Sequence, residues 1–136
     1  MIMDIRPITP AYAASPQIDP ADAAAIKAAG FVTVICNRPD AEVPPSHGAD
    51  AMRAAIEAQG LTFVVNPVTH QGLNDDMIAI QKNAAAAGKT LAYCASGTRS
   101  TIVWALGQAG EMSADEIIAA AAQGGYDLRG LRDRLG

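Results

Sequence analysis

Aromatic residues are scarce in this chain, cysteines scarcer, and long apolar runs are missing. Each shortage excludes something. Phe, Trp and Tyr make up 4% of the 136 residues, so a core has to come from Ala, Ile and Leu on helix faces around a few Val-rich strands. The two cysteines, Cys36 and Cys94, lie far apart and form no C-x-x-C motif, which is the usage of an intracellular protein and not of a disulfide scaffold. A cytoplasmic location is the expectation. No apolar stretch is long enough to span a bilayer. The N-terminal MIMDIRPITPAYAAS contains an AYA that imitates a cleavage site, but Asp4, Arg6, Pro7 and Pro10 interrupt any signal-peptide core. Excess positive charge is missing too. A formal net charge of −4 argues against nucleic-acid phosphates as the partner. The one basic cluster, Arg129, Arg132 and Arg134, is interleaved with Asp127 and Asp133 and is expected to complement the C-terminus of a last helix.

What is present is an alternation of helix and strand signals within one domain, residues 1–136, long enough to bury a core without metals or disulfides. DPADAAAIKAAG has an N-cap Asp19, Pro20 at the first helical position and a closing Gly30, so it predicts a helix. The β-branched FVTVIC predicts a strand ended by the turn NRPD. GADAMRAAIEAQG, LTFVVNP, NDDMIAIQKNAAAAG and KTLAYC continue as helix, strand, helix, strand. RSTIVWALGQAG and SADEIIAAAAQGG predict two more helices, and YDLRGLRDRL a short helix or a tail. One or two short strands are expected before Asp19. The resulting fold class is α/β in three layers, a mostly parallel central sheet flanked by helices. Sites in such sheets lie beyond the carboxyl ends of strands. That edge would carry the loops NRPDAE, NPVTHQGLN and CASGTRS.

The last of these loops carries the chemistry. Cys94 ends a buried strand and Arg99 opens a helix, where unpaired N–H groups and the positive dipole end favour an anion. A thiolate is such an anion, so the position predicts an activated Cys94, helped by the Arg99 guanidinium. Gly97 lets the loop of Ala95, Ser96, Gly97 and Thr98 curl until its N–H groups face inward as a nest. Arg99 can clamp an oxyanion through two parallel hydrogen bonds, and Ser100 can offer its hydroxyl to the thiolate. A cation at a helix start otherwise opposes the dipole and needs an anionic reason.

Cys94, Gly97, Arg99 and Ser100 resemble the Cys-x-x-Gly…Arg-Ser/Thr loop of the cysteine-dependent phosphatases with the protein-tyrosine-phosphatase fold. Together with N-R-P-D at 37–40 and the order of elements, the chain from about Gln17 to Gln123 is similar to the bacterial phosphatase-like domain family DUF442. The resemblance implies a phosphatase-like fold of dual-specificity-phosphatase size, with Cys94 as nucleophile and no cofactor. Members of that family also occur fused to the metallo-β-lactamase-like hydrolases known as persulfide dioxygenases, which implies a partner of that type.

Two departures bear on the substrate. Tyrosine phosphatases place five residues between Cys and Arg, and here there are four. Losing one residue, up to ~3.5 Å of chain, shrinks the ring and removes one N–H donor. A phosphoryl group needs three oxygens cradled at once; a sulfane sulfur needs less room, and the spacing resembles the smaller loop of rhodanese sulfurtransferases. Phosphatases also need a general acid, yet residues 66–74 contain no Asp or Glu. His70 could serve, whereas Asp75 and Asp76 fit the first turn of the next helix. Thiosulfate or a persulfide carries a stable leaving group and needs no strong acid. Sulfur transfer is therefore the first expectation, with a small anionic or persulfide substrate. Phosphatase-type hydrolysis through a cysteinyl-phosphate is the second, and a non-catalytic anion or phosphopeptide binder the third.

The remaining candidates divide between site and scaffold. Arg38 and Asp40 sit on the same edge, either as a surface ion pair or with Arg38 orienting the substrate and Asp40 tethering the cysteine loop. Cys36 is expected in the core more than as a resolving thiol, His47 solvated, Trp104 in the core, and Tyr93 on the opposite side of its strand from the Cys94 sulfur. NAAAAGKT, residues 83–90, is one glycine short of a phosphate loop and stands in the wrong order of elements. Cys36, His47, His70 and Cys94 show no zinc-site spacing, so no metal is expected.

Overall fold

The computed structural model describes residues 4–69 and 72–136. Five strands, β1 (Arg6–Thr9), β2 (Tyr12–Ser15), β3 (Thr33–Cys36), β4 (Thr62–Val65) and β5 (Thr90–Tyr93), form one sheet in the order β1-β2-β5-β3-β4. Only β1 runs antiparallel, to β2; the other pairings are parallel. The β-branched FVTVIC and LTFVVNP runs and KTLAYC are strands as their composition predicts, trimmed to four residues each. Both short strands expected before Asp19 are present.

Among the described residues five α-helices flank the sheet: α1 (Ala23–Ala28), α2 (Ala49–Ala58), α3 (Asp75–Ala85), α4 (Thr98–Gln108) and α5 (Ala114–Gln123). Asp19 is the expected cap, but it caps a 3-10 turn, Pro20–Asp22, that precedes α1; its Oδ1 accepts from Ala21 N–H, and Asp22 returns a bond to Asp19 N–H. Asn74 caps α3 with Asp75 and Asp76 in its first turn, and Ser113 with Glu116 forms a capping box on α5. The tail is a 3-10 segment, Arg129–Arg134, between buried Leu128 and Leu135. Arg132 and Arg134 stand in its last turn, the end that a cation complements, as expected, whereas Arg129 opens it. Arg129 pairs with Asp127, and Arg132 also reaches Asp115 in the first turn of α5.

Strand alternation divides the core into two layers. Val34, Cys36, Leu91 and Tyr93 share one face with Ile26, Met52 and Ile56 from α1 and α2. Ile35 and Ala92 lie on the other with Trp104, Ile117 and Ala121 from α4 and α5. Trp104 is core, as expected, and stacks on Tyr12 with ring centroids 5.8 Å apart. Cys36 stands in register with Tyr93 and directs its thiol to the Arg38 carbonyl at 3.3 Å. It is a core cysteine, and burial pushes its thiol up from the ordinary value.

One polar cluster interrupts this apolar scheme. Gln81 is the buried residue of α3. Its Nε2 donates to Asn37 Oδ1 and Tyr12 Oη, and its Oε1 accepts from Asn37 Nδ2 and Asn66 Nδ2, all at 2.8–2.9 Å. Asn37 Nδ2 also donates to the Asn66 carbonyl, and Asn66 Nδ2 to the Met77 carbonyl. Asn37 and Asn66 follow β3 and β4 directly, so the cluster joins two strand ends to α3. All three side-chain NH2 groups and the side-chain oxygens of Gln81 and Asn37 are satisfied, the condition under which a buried polar network stabilises. Gln81→Leu leaves Asn37 Oδ1 without its donor and takes one of two acceptors from each asparagine Nδ2, and is expected to lower stability by ~2–4 kcal/mol. Urea denaturation measures it, and an unchanged midpoint would mean that the network contributes nothing to folding.

Candidate active site

β5 is the central strand, and its parallel register with β2 and β3 brings their carboxyl ends level. Cys94 follows immediately, with no solvent exposure. The chain then turns through Ala95 and Ser96 to Gly97, which takes φ +92° as the N-cap of α4. That left-handed value is one that only glycine adopts freely. A side chain there would also collide with the Tyr126 hydroxyl and bring a Cβ within 2.8 Å of Tyr126 Cζ. Gly97 N–H donates to Cys94 Sγ at 3.1 Å.

The other loop groups behave differently from the expected nest. Thr98 N–H turns to Ser96 Oγ at 3.4 Å, and the Ser96 and Thr98 hydroxyls bond each other at 3.0 Å. Ala95, Ser96 and Thr98 are exposed, while Gly97 is buried. The Ser100 hydroxyl makes no bond to the sulfur: it is buried and has no partner among the described residues. The Ser100 carbonyl is what the fold uses, accepting from Tyr12 Oη at 2.8 Å, a tether on the first turn of α4.

Arg99 is 7% exposed, and its terminal nitrogens make three of the five hydrogen bonds that a guanidinium can donate. Nη1 donates to Glu42 Oε2 at 2.9 Å and to the Val68 carbonyl at 2.8 Å, and Nη2 to Glu42 Oε1 at 2.7 Å. The paired hydrogen bonds to Glu42, chief among the causes, raise the Arg99 pKa further above its ordinary value against the penalty of burial, with the Cys94 sulfur adding to the effect. The same bonds hold the Glu42 carboxyl below the usual range. Glu42 is the functional residue that reasoning from sequence missed. The signal that could have found it is the unpaired cation at a helix start, together with two carboxylates in the loop NRPDAE.

Asp40, the other carboxylate, does not tether the cysteine loop. Its Oδ1 accepts from Ala49 N–H at 2.8 Å. The N-cap of α2 is Gly48, which has no side-chain acceptor, so Asp40 reaches across to supply one. Arg38 lies behind Glu42: its Nε bonds Glu42 Oε1 at 3.3 Å, Nη2 the Glu42 carbonyl at 3.2 Å, and Nη1 Gln17 Oε1 at 3.2 Å. His47 is not free in solvent, because its Nε2 bonds Asp19 Oδ2 at 3.1 Å. The loop 37–48 is thus pinned to the segment after β2 at both of its ends. His70, the residue considered as a general acid, lies outside the described residues.

A cysteine facing a backbone N–H at a strand-to-helix turn, with a buried arginine one helical position on, belongs to the protein-tyrosine-phosphatase-like fold. The comparisons with known proteins agree. The model of the beta-lactamase hydrolase-like protein, phosphatase-like domain, matches residues 4–111, and the chain belongs to that family. A beta-lactamase hydrolase-like protein of Xylella fastidiosa is 36% identical over 103 residues, 73% of this chain and 24% of the relative. One from Agrobacterium fabrum is 33% identical over 112 residues, 79% and 26%. The chain spans about a quarter of the length of these curated relatives. Among solved structures, a phosphatase-class protein of Neisseria meningitidis matches with a TM-score of 0.84 and 33% identity over 98% of this chain and 97% of its own. A DUF442 structure from Shewanella putrefaciens, 17% identical with a TM-score of 0.70 over 98% and 85%, shares the fold. Among the described residues no helix is long and apolar enough to cross a membrane.

The Arg99–Glu42 pair predicts a pH dependence. Because the folded pKa of Glu42 is depressed, its contribution is complete above the ordinary carboxylate range and is lost as pH falls through the folded value. Glu42→Ala, which leaves Arg99 buried without its anion, is expected to cost ~1–3 kcal/mol near neutrality. In urea titrations at several pH values, the gap between wild type and variant narrows below the ordinary glutamate pKa. A gap independent of pH would exclude this ion pair as its source.

Proposed function

We propose that this chain is a sulfurtransferase built on the phosphatase-like fold, with Cys94 as the sulfur carrier. The observation that carries the reading is the size of the loop: four residues enclose a sulfur that has no solvent exposure and faces one backbone N–H, that of Gly97. Such a ring suits one added sulfur atom better than a phosphoryl group with three oxygens to cradle. The Cys94 thiolate attacks the outer sulfur of thiosulfate, the new S–S bond forms as the old one breaks, and sulfite leaves with the electron pair. An acceptor thiolate then takes the terminal sulfur from the Cys94 persulfide and regenerates the thiolate, with no net oxidation. The Gly97 N–H and the charge of Arg99 hold the anionic sulfur in both states. Ala95, Ser96 and Thr98 form the rim, Ser100 supports the first turn of α4, and Arg38 guides an anionic donor. In longer relatives a persulfide dioxygenase-type domain is a fitting partner for such a carrier.

Phosphoester hydrolysis through a cysteinyl-phosphate is the second reading, favoured by the likeness to the Neisseria protein along the whole of both chains. The two separate in one set of assays. Incubation with thiosulfate or glutathione persulfide is expected to give a one-sulfur adduct by intact mass that is lost in Cys94→Ser. No adduct, alongside Cys94-dependent turnover of an aryl phosphate, would transfer the assignment to hydrolysis. His70→Ala is expected to leave sulfur uptake within about twofold of wild type, whereas a general acid would contribute roughly 100-fold or more to phosphate release.

A further inference from the structure

We propose that Tyr126 is a positioning residue for the cysteine loop: by holding the Ser96 carbonyl, it aims the Gly97 N–H at the Cys94 sulfur. The inference rests on the reading of Cys94 as the reacting atom, and it concerns a residue outside the 4–111 segment matched by the family. Tyr126 Oη donates to the Ser96 carbonyl at 2.9 Å, and the N–H of the same peptide donates to Cys94 Sγ at 3.1 Å. A trans peptide is planar, with its C=O and N–H pointing in opposite directions, so fixing the oxygen on one side fixes the donor on the other. Without that hold the peptide can rotate about its flanking dihedrals, and the glycine on its C-terminal side tolerates either orientation.

The residue is itself held on several sides. Its ring is 5% exposed, with the Arg6 guanidinium 5.4 Å from the ring centroid. Gly97, having no side chain, admits the phenol against the loop backbone. Tyr126 N–H bonds the Ala121 carbonyl at 2.9 Å, tying the residue to the last turn of α5. The C-terminal layer thereby reaches the chemical centre through one hydroxyl. The donor it aims is the one that stabilises a thiolate and then a persulfide at the same place, so losing it should slow both the attack by Cys94 and the survival of its sulfur adduct.

Tyr126→Phe removes the hydroxyl and keeps the ring and its packing. Alkylation of Cys94 by iodoacetamide, mapped by peptide mass across a range of pH, reads the sulfur directly and needs no substrate. In Tyr126→Phe the alkylation profile is expected to move to higher pH, with a neutral-pH rate lower by roughly tenfold, the effect of one hydrogen bond to a charged group. Ile56→Val, a destabilised control in the opposite core layer, is expected to keep the wild-type profile. A wild-type profile in Tyr126→Phe, or an equal displacement in Ile56→Val, overturns the proposal. Sulfur uptake from thiosulfate is followed separately. If wild type takes up none, the sulfur-transfer reading fails while the alkylation profile still decides the role of Tyr126.

Discussion

A buried guanidinium at the second position of a helix is electrostatically misplaced, because the positive end of the α4 dipole repels it. Arg99 occupies that position, and the carboxyl edge of the sheet is organised around its compensation. Glu42 arrives from the loop after β3 and the Val68 carbonyl from the loop after β4, while Arg99 itself extends from the helix that follows β5. Three loops that the parallel register brings to one edge are thereby joined through a single cation. Removing a buried ion from water costs several kcal/mol, and a bidentate carboxylate with a third acceptor is the kind of geometry that offsets it. Arg38 extends the arrangement by sharing Glu42 Oε1 with Arg99 and by binding the Glu42 carbonyl and Gln17, so the anion that neutralises Arg99 is itself fixed.

The same edge is held from beneath by neutral groups. Asn37 and Asn66 cap β3 and β4 with side chains directed into the protein, where Gln81 satisfies both and passes a hydrogen bond to Tyr12. Tyr12 in turn binds the Ser100 carbonyl. Ionic bonds on the outer side and amide bonds on the inner side therefore meet at adjacent residues, Arg99 and Ser100, in the first turn of α4. The four residues between Cys94 and Arg99 have little slack, and the two ends are fixed independently of any substrate. The loop is pre-organised by the scaffold.

The parts of this arrangement visible in the sequence are those written in local spacing. Strand ends, helix caps such as Asn74, the αL glycine and the Cys94-to-Arg99 interval all follow from residues within a few positions of one another, and they sufficed for the fold and for bringing Cys94, Gly97 and Arg99 into one turn. The misses share a different property. Glu42 lies 57 positions from Arg99, and Asp40 stands two residues earlier with the same charge; which of them faces the helix depends on how the loop turns once Gly48 leaves α2 without a side-chain cap. Gln81, in a run reading IQKNAA, has the composition of a solvated helix face and is buried only because two strand-end asparagines await it. Tyr126 follows a pair of glycines at the end of the last helix, and nothing nearby connects it to a loop 30 positions away.

The commitment of Arg99 also bears on what the site can hold. Cradling a tetrahedral oxyanion would use the guanidinium in two parallel hydrogen bonds; Glu42 holds the edge between the two terminal nitrogens, which leaves the Nε and second Nη2 donors as the edge for an anion. A phosphoryl group would therefore not have to displace Glu42, and what counts against it is the size of the ring. A sulfur atom bonded to Cys94 asks for less. It needs one nearby N–H, that of Gly97, and a donor on the edge of Arg99 that Glu42 leaves to it. On the sulfur-transfer reading, the ion pair that secures the fold and the charge that steadies the persulfide are therefore one feature serving both purposes at once.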